Sequence, residues 1–78
     1  MTNNTHIAHN IDFDLARDRL DDLAGVRFRS YLELREAGKP EATIHAARVA
    51  YLETSALRRS LKPTDTQQIK SILESSNG

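Results

Sequence analysis

The chain contains no cysteine and no tryptophan. Without cysteine, a disulfide framework and any thiolate metal site are excluded. Aromatic residues make up only 5% of the sequence, and glycine and proline together number five in 78 residues. Backbone breakers are therefore scarce. No stretch approaches the ~18 consecutive apolar residues of a membrane span. The N-terminus has no basic segment leading into an apolar run, so no signal peptide is expected and the predicted setting is cytoplasmic. Eleven Lys and Arg balance eleven Asp and Glu, so the formal net charge is zero. There is no glycine-rich phosphate loop and no spaced nucleophile–base pair. An enzyme is not expected, and neither is a cofactor.

Leu, Ile, Val and Phe account for 18 residues, which is enough for a small folded core. Nine alanines and nine leucines against four aromatics favour close-packed helices over sheets. The predicted fold class is all-α. Three to four short helices, at about 12–24, 26–37, 40–61 and 64–75, follow a disordered N-terminal tail at 1–10, and residues 11–76 form one domain. A core this thin stabilises a domain by only about 3–5 kcal/mol. A homodimer is therefore expected, because it hides leftover apolar surface.

The tail is polar and has no period. Asp12 suits a helix N-cap, and Asp14 adds a carboxylate to the first turn. Phe13, Ala16, Leu20, Leu23 and Ala24 recur at three- and four-residue steps, the spacing of one buried helical face. Gly25 either ends that helix or weakens it. From Val26 to Leu34 apolar and charged residues alternate, which also fits a strand. Good helix formers at 34–37 and the cap signal of Gly38 before Pro40 favour a helix. Pro40 suits the first position of the next helix. Thr64 and Gln67 have capping-box spacing, and Ile69, Ile72 and Leu73 form an apolar stripe behind them.

Charge is uneven. Residues 1–24 hold five Asp and two Arg, whereas residues 38–62 hold Lys39, Arg48, Arg58, Arg59 and Lys62 against Glu41 and Glu53. The segment from Ala46 to Lys62 resembles the helix-turn-helix of the Fis-type DNA-binding family. Ala46 and Ala47 match its small pair, Leu52 the apolar residue of the turn, and Ser55, Leu57, Arg59, Leu61 and Lys62 its second helix. Tyr51 stands where the family has glycine, and Ala56 replaces a hydroxyl residue. The resemblance implies a break near 51–53 and a recognition helix over 54–62. In that helix Thr54, Ser55 and Arg58 approach phosphates or base edges, and Arg59 and Lys62 neutralise the backbone, with acidic residues 12–22 on the far side. Leu57 and Leu61 are expected in the core.

The alternative is a single helix from 40 to 61, its buried stripe running through Ala42, Ala46, Val49, Leu52 and Ala56. It forms a hairpin with the helix before Gly38. Two functions follow. One is a small DNA-binding regulator that contacts duplex DNA through Arg48, Thr54, Ser55, Arg58, Arg59 and Lys62. The other is a non-enzymatic protein-binding module, such as a phage-encoded inhibitor (an anti-CRISPR, for example) or an antitoxin-like protein. It would use the same residues on a protein partner. His6 and His9 are spaced by one helical turn but lack a third ligand, so no metal site is expected.

Overall fold

The computed structural model describes the backbone of residues 2–75 and the side chains of residues 11–75. Among the described residues the chain is all helical, with α1 at Thr2–Glu36, α2 at Glu41–Ser60 and α3 at Thr66–Ser75. There are three helices where up to four were expected, because Gly25 does not divide the first. The two helices placed at 12–24 and 26–37 are one continuous α1 of 35 residues, about 52 Å long. A Cβ at Gly25 would meet nothing within 4 Å. The glycine answers no local need, and it costs helix propensity without breaking the hydrogen-bond ladder. The alternating segment from Val26 to Leu34 is helix, not strand.

The tail expected over 1–10 also differs. The helix begins at Thr2, so Asp12 is not an N-cap; Met1 lies outside the described residues. No Gly or Pro occurs before Gly25, so nothing stops the helix nucleated by Ile11–Leu20 from propagating backwards.

The link to α2 is a Schellman cap. Gly38 adopts φ 67°, the amide of Gly38 donates to the Arg35 carbonyl at 3.1 Å, and that of Lys39 donates to the Leu34 carbonyl at 3.1 Å. Pro40 is the residue before α2, and its carbonyl accepts from the amides of Thr43 and Ile44. α2 then returns antiparallel along α1. The register is visible in two cross-helix pairs. Phe28 meets Tyr51 and Asp21 meets Arg58, and the members of each pair are equally far along the chain from the Lys39–Pro40 junction.

α2 is unbroken through Tyr51 and Leu52. Its inward face runs through Ile44, Ala47, Tyr51, Thr54, Leu57 and Leu61, and not through the alanine stripe. Ala42, Ala46, Leu52 and Ala56 are exposed. The two stripes are both helical in period, and the inward one has the larger side chains and so removes more apolar area from water.

Beyond Leu61 a short linker containing Pro63 leads to α3, which lies against α1. Asp65 immediately precedes α3. Its carboxylate accepts from the Lys62 amide at 2.9 Å, and its carbonyl accepts from Ile69. The core is Ala16 and Leu20 of α1, Leu61, and Ile69 of α3, with Phe13, Leu57, Ile72 and Leu73 packed around it. Leu57 and Leu61 are thus in the core as expected, whereas Leu23 is exposed. The radius of gyration is 15.6 Å. A compact domain of this length would have about 11.5 Å. The difference reflects a long hairpin covered by α3 at one end only.

Candidate partner-binding face

The predicted DNA contacts divide between the two sides of α2. Thr54 faces inward and is only 3% exposed. Its hydroxyl donates to the Ala50 carbonyl at 2.8 Å and accepts from the Arg27 guanidinium of α1. That hydroxyl is committed within the hairpin. Arg58 points toward α1 and pairs with Asp21, Nε to Oδ1 at 2.7 Å. A second contact, Nη2 to Oδ2, is 3.4 Å. The acidic segment was expected on the far side from Arg58. Instead one of its members is the partner of Arg58.

Lys62 lies in the linker after α2, exposed, with its backbone amide held by Asp65. Arg59 is exposed on the outer surface of α2. Arg58, Arg59 and Lys62 therefore do not share one helix face. The physical reason is the absence of the turn. With α2 continuous, residues 54–60 are the last turns of a packed helix and not a protruding element.

The remaining predicted residues do share a face. Arg48, Ser55 and Arg59 lie with Leu52 at steps of four, three and four along α2, one outward stripe of a helix. Arg48 and Arg59 are exposed, Ser55 is half-buried, and Leu52 is 48% exposed.

Beside this stripe is a cluster that sequence reasoning missed. The rings of Phe28 and Tyr51 are 5.1 Å apart and tilted by 49°, and Phe28 and Tyr31 are 6.4 Å apart. The Arg35 guanidinium sits 5.5 Å above the Tyr31 ring and reaches its hydroxyl at 3.4 Å. Phe28 remains 41% exposed. The hairpin thus presents three adjoining aromatic rings and an exposed leucine among three arginines. One signal for it was present in the sequence. Once Gly38 is taken as the cap of a hairpin that turns at the Lys39–Pro40 junction, positions equally distant from that junction face each other, and Phe28 falls opposite Tyr51.

Among the described residues no three His, Asp or Glu side chains are grouped to hold a metal ion; the side chains of His6 and His9 lie outside the described residues. Among the described residues no helix is long and apolar enough to cross a membrane. Comparison with known protein families, with curated proteins and with solved structures finds no match to this chain.

Proposed function

We propose that this chain is a non-enzymatic protein-binding module that docks an acidic surface of a partner protein. Its contact face is built from Phe28, Tyr31, Tyr51 and Leu52, flanked by Arg35, Arg48 and Arg59. The observation behind the reading is the half-exposed aromatic trio bracketed by arginines on the outer side of a rigid hairpin. Tyr and Arg are enriched at binding hot spots because each combines a large apolar contact area with a polar end. Rigid presentation on two packed helices lowers the ordering cost of association. An inhibitor acts in this way, by occupying a surface that another molecule needs.

Against DNA binding stand the unbroken α2, the engagement of Arg58 by Asp21 and the burial of Thr54. The test is a photo-crosslinking residue placed at Leu52 and, as a control, at Lys70 on α3, in lysate of the source cells. The expected result is a discrete protein adduct at position 52, absent at position 70 and suppressed by Arg48→Glu. Crosslinking to nucleic acid alone at position 52 would contradict the reading.

A further inference from the structure

A second face of the molecule is also unpartnered. Ile11, Leu15, Leu23 and Val26 are all exposed, with Val26 at 49%. Together with Arg19 they recur at steps of four, four, four and three along α1, so they form one stripe. The stripe adjoins an open groove of ≈ 760 Å³ between α1 and α3. Arg19, Leu23 and Val26 line it from α1, Ile72 from α3, and Leu57 from α2. This face lies apart from the aromatic rings of Phe28 and Tyr51.

The charge of α1 is polar along its length in the same region. Residues 11–22 hold five Asp and two Arg, whereas residues 23–30 hold two Arg and no acidic residue. A parallel copy would set like charges together. An antiparallel copy can set Asp12 of each helix against Arg29 of the other. A twofold axis between Leu20 and Asp21 then places Leu15 opposite the second copy's Val26. It also places Arg19 opposite the second copy's Asp22, and symmetry makes each contact twice. Arg19 and Asp22 are one turn apart on the same side of α1, so both can reach across. The monomer also has reason to associate, since Ala16, Leu20, Leu61 and Ile69 are its only buried hydrophobic residues among those described.

We propose that a second copy of this chain docks antiparallel on the outer stripe of α1, with Leu15–Val26 contacts and two reciprocal Arg19–Asp22 ion pairs. The Leu15–Val26 and Arg19–Asp22 pairs are each matched by a copy of the same sequence, in apolar character and in sign of charge.

The test is sedimentation equilibrium on the full chain and on charge-swapped variants at low salt. The wild type should be dimeric. Arg19→Glu alone and Asp22→Arg alone should each weaken the dimer by roughly tenfold or more, because each replaces two attractions by two repulsions. The combined variant R19E/D22R should restore it. Asp22 is exposed and Arg19 half-buried beside the groove, and circular dichroism should show unchanged helix content in all three. A wild type that stays monomeric at every concentration would overturn the proposal. So would a dimer that the single swaps leave intact, or single-swap losses that the combined variant does not repair. Leu52→Asp serves as the outside control and should leave the dimer unchanged. If it dissolves the dimer instead, the copies meet through the aromatic face and the α1 interface is wrong. The charge-swap outcomes at Arg19 and Asp22 do not bear on whether the aromatic face binds a partner protein.

Discussion

Thr54 is polar yet buried, and its hydroxyl both donates and accepts within the hairpin. Thr54→Val keeps the shape but removes the acceptor for Arg27. The half-buried guanidinium is then left short of a partner, and the expected cost is roughly 1–3 kcal/mol. Thr54→Ser retains the oxygen and should lose much less. Equal melting midpoints for the two variants would show that the hydrogen bond contributes nothing. The Asp21–Arg58 pair is different. Its side chains are 51% and 35% exposed, so water screens it, and Arg58→Ala should cost no more than about 1 kcal/mol. What this pair does is turn Arg58 toward α1. Neither assignment was legible from local spacing. Thr54, Ser55 and Arg58 read as a cap and a contact residue only if a helix begins there, and whether one does depends on packing against α1. Leu57 and Leu61 were legible because both readings of α2 bury them.

At the scale of elements, two glycines with the same composition signal behave oppositely. Gly38 has φ 67° and open space around its missing side chain. Gly38→Val should therefore destabilise by about 1–2 kcal/mol through backbone strain alone, with no clash to relieve. Gly25 is mid-helix with the same open space and no positive φ. Gly25→Ala should stabilise by about 1 kcal/mol, the difference in helix propensity. Thermal unfolding of both variants checks the pair. A loss at position 25 would mean that α1 is interrupted there after all. The cap at Gly38, the third helix and the all-α class were readable from punctuation and period. The continuity of α1 was not, because a lone glycine marks an end only when tertiary packing allows the chain to turn. The face of α2 was misassigned for a related reason. Two stripes share the helical period, and only the α1 surface decides between them.

At the scale of the whole molecule, the hairpin is long and thinly covered. α3 protects one end, where Ile69 meets Ala16, Leu20 and Leu61. Leu61→Ala at that junction should cost roughly 2–5 kcal/mol, a large part of the stability of so small a domain. Chemical denaturation that finds less than 1 kcal/mol would place the core elsewhere. The middle of the hairpin holds Phe28, Tyr31 and Tyr51, and Phe28 stays exposed there. None of this surface follows from composition. Four aromatics in 78 residues are too few to suggest a cluster, and three of them converge only because the Gly38 turn sets the register.

α2 is one packed helix, and in the proposed function its arginines serve α1 and a protein partner, not a duplex. Titration of the wild type against a labelled random-sequence DNA duplex, across a range of salt, tests it most directly. No saturable binding is expected at physiological salt, and no difference between the wild type and a variant with Arg58→Ala and Arg59→Ala. Saturable binding whose log K falls linearly with log salt, with a slope reduced by about 2 in that variant, would contradict it.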